Sequence, residues 1–194
     1  MANPSNVTLQ LSQYWQKIGF IAALCERHKL NHQLYSDAID QHDNTLLYRK
    51  LLNKVWEYLL EQLTSMKNLE KALLQLEEIM PEPQAQDSYG VYPAFDAGLL
   101  LTSCLQMILD DSIDDVDLSA NVSLATVTQF IVFTGEAEED TQALQHPLAL
   151  AELSFQNDLI ASLTNSGLSK LETVKKLRKE LSQISVSNLG IVCE

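Results

Sequence analysis

Apolar residues along this chain return every three or four positions. Leu11, Trp15, Ile18, Ala22 and Cys25 are separated by steps of four, three, four and three. That spacing lays one buried stripe along a helix, and it predicts a first helix from about Thr8 to His28. A short helix over His32 to Ile39 follows, Asn31 marking the break. Leu47, Leu51, Val55 (or Trp56) and Leu59 draw a third stripe. Asn68 is placed to cap a fourth helix, Leu69 to Ile79. Pro81 and Pro83 close it, because a residue before proline is pushed out of the helical region.

After a linker from Pro81 to Tyr89 comes the most apolar part of the chain. Pro93 suits the first position of a helix, where its missing N–H leaves no bond unmade. This helix should run to about Asp110, with Ala94, Ala97 and Gly98 giving it one side on which a neighbour can approach closely. Val122 to Phe133 carries the Val, Thr and Ile content of a strand. Leu124, Val127 and Ile131 nevertheless keep the helical step, and Gly135 is a natural helix stop, so helix is the reading. Pro147 opens another helix that ends at Asn165-Ser166-Gly167. Ser169-Lys170-Leu171-Glu172 forms a capping box, in which serine and glutamate satisfy each other's backbone N–H groups. The helix it starts carries Leu171, Val174, Leu177, Leu181 and Ile184 on one side.

The pattern predicts an all-α protein: one domain over residues 1–194, a bundle of about seven or eight helices around the central apolar helix that Pro93 begins. A length of 194 residues fits one domain. Cys25, Cys104 and Cys193 are odd in number and widely spaced, which is no disulfide framework. The start of the chain lacks a signal peptide's basic and apolar segments. The longest uncharged apolar run, Ala97 to Leu109, is thirteen residues, short of the ~20 that span a membrane. The expectation is a cytoplasmic protein without a membrane partner.

Charge changes the picture. The net charge is −13, and no lysine or arginine occurs from Ala72 to Ser169, a stretch with sixteen carboxylates. Those acids must be solvated, bind a cation, or meet the basic ends of the chain or a partner. Nucleic acid and anionic membrane are disfavoured, since an acidic surface repels both. The acids are also far sparser than the ~1.7 Å charge spacing of duplex DNA, which argues against mimicry. The basic run Lys170, Lys175, Lys176, Arg178 and Lys179 is the nearest positive supply.

Two motifs invite metal chemistry. Asp110-Asp111-Ser112-Ile113-Asp114 has the D-D-x-x-D spacing by which all-helical prenyl-diphosphate enzymes hold Mg²⁺, a hard cation needing oxygen ligands. Here the chain is short, no second such motif follows, and no cation lies nearby for a diphosphate. An acidic helix end is the simpler reading. Cys25, His28 and His32 have C-x2-H-x3-H spacing, but Cys25 belongs to the buried stripe. A core cysteine with two surface histidines explains it, so no metal and no cofactor are expected.

The segment Asp87-Ser-Tyr-Gly-Val-Tyr-Pro-Ala-Phe-Asp-Ala97 is distinctive. With it go Trp15-Gln16, Leu24-Cys25-Glu26-Arg27, Tyr48-Arg49, Trp56-Glu57 and the ending Ser187-Asn188-Leu189-Gly190-Ile191. Together they resemble the YjaG-like family of uncharacterised bacterial proteins, a domain-of-unknown-function family. The resemblance implies an all-helical cytosolic protein and brings no catalytic residues. Among the matching positions, Glu26, Arg27, Arg49, Glu57 and Asp96 are charges on segments otherwise suited to a core. Buried charges need partners, and Asp96 is expected to pair with Arg27 or Arg49. Either these form a structural ion-pair network, the preferred reading, or they line a polar pocket floored by Tyr89, Tyr92 and Trp56.

The function expected is a non-enzymatic interaction or regulatory module with a protein partner, monomeric or, as an alternative, a homodimer. The competing expectation is a small enzyme or ligand-binding protein that uses this polar cluster or a divalent ion at Asp110 to Asp117.

Overall fold

A computed structural model describes residues 7–84, 88–165 and 167–192. Asp87, Ser166 and Cys193, which entered the sequence reading, lie outside the described residues. Nine helices follow in order among the described residues: α1 (Val7–Gln10), α2 (Tyr14–Ala38), α3 (His42–Leu59), α4 (Met66–Glu77), α5 (Val91–Leu109), α6 (Val116–Phe133), α7 (Asp140–Ala143), α8 (Pro147–Leu163) and α9 (Lys170–Leu181). The described extended pairing is a single antiparallel bridge, Val186 to Val192. The all-α reading holds, and the ambiguous Val122–Phe133 segment is helical throughout.

Several boundaries differ. Helix α4 starts at Met66 with Ser65 in the N-cap position, so Asn68 lies inside its first turn and does not cap it. Thr8 falls in the separate short α1, and from Tyr14 onward the two helices predicted over Thr8–His28 and His32–Ile39 merge into one 25-residue helix, α2. Asn31 does not break it, because its amide donates to Asn188 Oδ1 (2.8 Å) instead of competing for neighbouring backbone. The apolar helix starts at Val91, two residues before Pro93, so Asp96 sits in its second turn.

Three helices end in the same way. Asp40, Glu61 and Gly135 have φ of 56°, 61° and 78°. In each case the next residue's N–H reaches back to a carbonyl five residues earlier: Gln41 to Ser36 (2.8 Å), Gln62 to Glu57 (2.8 Å) and Glu136 to Ile131 (3.0 Å). These are Schellman ends, which satisfy carbonyls the helix leaves unpaired. Gly135 stops α6 as its sequence position indicates, and Glu57 lends its carbonyl to the end of α3.

The core forms around the pairing of α2 with α5. Helix α2 also touches α3, α6, α8 and α9, while α5 packs on α3, α4 and α6. Phe20, Leu24, Tyr48, Trp56, Leu101 and Leu105 are buried between them. Tyr48 donates from this core to the carbonyl of Ala97 (2.9 Å). A smaller cluster of Leu124, Val127, Ile131, Ala149 and Leu189 lies between α6, α8 and the C-terminal segment. By length and composition α5 and α6 could each cross a membrane, but half or more of each helix is buried in this bundle. The capping box at Ser169 and Glu172 is present. Helix α9 buries Val174, Leu177 and Leu181 against the same chain, with Lys175, Lys176 and Lys179 exposed. Its first lysine, Lys170, pairs with Glu61 (2.8 Å), outside the acid-rich half.

Candidate functional site

The charged residues singled out in the sequence do not converge. Glu26 and Arg27 are neighbours on α2, so they point about 100° apart. Glu26 turns towards α3, where Trp56 Nε1 donates to it (2.9 Å), and Lys29 closes its other oxygen (2.6 Å). Arg27 turns towards α8, where its guanidinium lies 3.5 Å from Glu152 and 4.4 Å from the centre of the Phe155 ring. Asp96 pairs with neither arginine. It accepts from the Thr126 hydroxyl (2.7 Å), and burial raises its pKa. Arg49 is exposed and makes no ion pair among the described residues. Glu57 is half-buried at the end of α3.

Behind Arg27 runs a polar network that the sequence reading missed. Glu152, Ser123, His28 and Asn188 are each at most 1% exposed. Glu152 Oε1 is 2.7 Å from Ser123 Oγ and accepts from Gln156 (2.9 Å). Ser123 Oγ is also 2.9 Å from His28 Nε2, a contact whose direction is set by the imidazole tautomer. Asn188 Nδ2 lies 3.0 Å from the same ring nitrogen, and Asn31 ties on to Asn188. His28 and His32 are therefore buried, which corrects their expected surface position. His32 stacks on Tyr48 with ring centres 4.6 Å apart. Burial, with Arg27 beside it, lowers the His28 pKa to about 3. Burial takes His32 to about 4. Both rings are neutral near pH 7. Only a partner set drawn from α2, α6, α8 and the chain end could have revealed this network, and those elements lie too far apart in sequence for spacing to register.

The D-D-x-x-D string is not a helical face. Helix α5 ends at Leu109, and the aspartates occupy the turn to α6. Asp110 accepts from the Ser112 N–H (3.0 Å) and hydroxyl (2.6 Å), which lower its pKa. Asp114 pairs with Lys17, and Asp117 accepts from the Thr8 N–H (3.1 Å). Among the described residues no three His, Cys, Asp or Glu side chains are grouped to hold a metal ion.

Tyr89 and Tyr92, by contrast, do come together, with partners the sequence reading left out. Tyr92 and Asp96 are one turn apart on α5. Thr126, Phe130 and Phe133 step by four and three along the facing side of α6. Tyr89 stacks on Phe133, with centres 4.0 Å apart, and tilts against Phe130 and Tyr92 at 5.9 Å each. Phe133 is 61% exposed and Tyr92 45%. Beside these rings opens a cleft of about 260 Å³, walled by Leu34, Tyr35, Pro93, Phe130, Leu189 and Ile191. Asn31 joins its lining, and its Oδ1 is buried without a hydrogen-bond partner among the described residues. Burial, then the charges of Asp96 and Asp140, raise the Tyr89 hydroxyl to about 12. Trp56 lies elsewhere, in the main core.

The fold and this surface define a helical domain with an aromatic-rimmed apolar cleft and an inaccessible polar interior. A family model described as "Protein of unknown function (DUF416)" matches residues 5–192, and the chain belongs to that family. An uncharacterised protein of Haemophilus influenzae is 30% identical over 98% of each chain. The uncharacterised protein YjaG of Escherichia coli is 27% identical, over 99% of this chain and 98% of its own. The crystal structure of a DUF416 family protein from Shewanella baltica superimposes with a TM-score of 0.86 at 28% identity, over the whole of both chains.

Proposed function

We propose that this protein is a non-enzymatic interaction module, and that it engages a protein partner through the aromatic rim of the cleft bounded by α2, the start of α5, α6 and the C-terminal segment. The observation that carries this reading is the stack of half-buried Tyr89 on exposed Phe133, extended by exposed Tyr92. Ring faces of this size left to solvent and joined to an apolar cleft are the kind of surface that binding buries. The groups best suited to chemistry point the same way. Ser123, His28 and Glu152 face one another in a closed interior, where no substrate reaches them, and serve to fix α2, α6, α8 and the chain end. A cytoplasmic setting fits the free, buried thiols of Cys25 and Cys104, and a monomer suits a chain whose α9 stripe is already covered.

The test is quantitative affinity capture from a bacterial lysate, followed by titration of the captured protein in purified form. Phe133→Ser should abolish the interaction. Leu74→Ser, which removes an equally exposed apolar residue on α4, should leave it intact. If no partner distinguishes the two variants, the aromatic rim is not the binding surface.

A further inference from the structure

We infer that the cleft and its aromatic rim receive a protein segment carrying one apolar anchor residue flanked by lysine or arginine. This rests on the interaction reading above and names its partner's chemistry. The cleft supplies the first half. At about 260 Å³ it is smaller than the ~300–1,000 Å³ of pockets that enclose drug-sized ligands. It takes a side chain, and its walls of Leu34, Pro93, Phe130, Leu189 and Ile191 select an apolar one.

Charge supplies the second half. Aromatic faces attract cations through the negative potential of the ring. Tyr89 and Phe130 line the cleft, and the exposed Phe133 and Tyr92 pack beside Tyr89. Asp96 and Asp140 stand close enough to Tyr89 to act on its hydroxyl. Glu136, Glu138 and Glu139 follow Phe133 in the chain. Neither the cleft lining nor any position from Ala72 to Ser169 carries a lysine or arginine to oppose a basic segment. An acidic segment would be repelled on the α6 side of the rim, where Asp140 and the glutamates after Phe133 lie, whereas a basic one would be drawn in at a rate that falls with salt.

The experiment selects random displayed peptides against the full chain, with Phe133→Ser as the counter-selection target. The synthesised consensus peptide is then titrated by calorimetry. The expected consensus is an apolar or aromatic residue with lysine or arginine on either side. Its affinity should fall about tenfold or more, ~1.4 kcal/mol, with Phe133→Ser and also with Asp140→Lys. It should hold with Glu180→Lys, a charge change on α9. Amide shifts of Gly90, Phe130 and Leu189 should report the binding. Peptides that bind at the rim but are acidic or uncharged would overturn this inference and leave the interaction surface standing. Peptides with no dependence on Phe133 would overturn both. Concentration-dependent dimerisation abolished by Phe133→Ser would show that a second copy of the chain occupies the rim, and would also overturn the basic-segment assignment.

Discussion

Arg27 shows how much one residue's direction decides. Its sequence neighbour Glu26 serves α3, while Arg27 crosses to α8 and meets Glu152, whose Oε2 has no hydrogen-bond donor in the described structure. Truncating one member of such a buried pair strands the other, at a cost of about 3–5 kcal/mol. Arg27→Ala should therefore lower the unfolding midpoint markedly. The exposed Arg49→Ala should change stability by no more than ~0.5 kcal/mol, as expected of a surface site. Chemical denaturation of the two variants checks this, and equal effects would mean that Glu152 is stabilised by Ser123 and Gln156 alone. Asp96 is the reverse case. Its sequence position suggests an arginine partner, but the facing helix offers only Thr126, because helical spacing tells which side a residue occupies and not what stands opposite.

At the scale of elements, small residues on α5 do what their pattern implies, though one contact is not with a helix. A Cβ added at Gly98 would lie 2.2 Å from Met80 Sδ and 2.9 Å from its Cε. Met80 follows α4 and folds back onto α5, filling the space that glycine leaves. Alanine in place of glycine gains about 1 kcal/mol of intrinsic helix propensity, but overpacking costs ~1–3 kcal/mol. Gly98→Ala should lower the melting temperature, and Gly98→Ala combined with Met80→Ala should recover part of the loss. If Gly98→Ala alone is stabilising, the methionine moves aside freely. The α9 capping box and the Gly135 stop were legible because both are local: the residues that make the bond lie within a few positions. The Schellman ends at Asp40 and Glu61 were not, since neither residue announces a positive φ.

At the scale of the whole molecule, two neutral histidines in the interior make stability depend on pH. Unfolding returns His28 and His32 to an ordinary pKa of 6.5, from about 3 and about 4 in the folded chain. Below 6.5 the unfolded state takes up protons that the folded state refuses, so stability falls as pH drops from 6.5 towards 3. Asp96, with its folded pKa raised, acts in the opposite sense at the acidic end of that window. Asp110 and Glu172, whose pKa values are lowered in the folded chain, act in the same sense as the histidines, so the net slope is downward. Denaturation series on the parent and on His28→Gln should give a shallower fall for the variant. Identical slopes would show that protonation of His28 does not limit the folded state.

The sequence alone determined what depends on near neighbours: helices with a three-to-four-residue stripe, the α9 capping box and the Gly135 stop, one all-α domain, and the location of positive charge at the two ends of the chain. It also singled out Tyr89 and Tyr92. The rest required three dimensions. Phe130 and Phe133 join those tyrosines only because α6 lies against the start of α5. His28, Ser123, Glu152 and Asn188 form one network only because four segments meet there. Periodicity encodes the inward face of a helix, since burial of apolar area drives every helix in the same way. Which polar groups then meet inside is fixed by helix direction and crossing, and these arise from packing among residues distant in the chain.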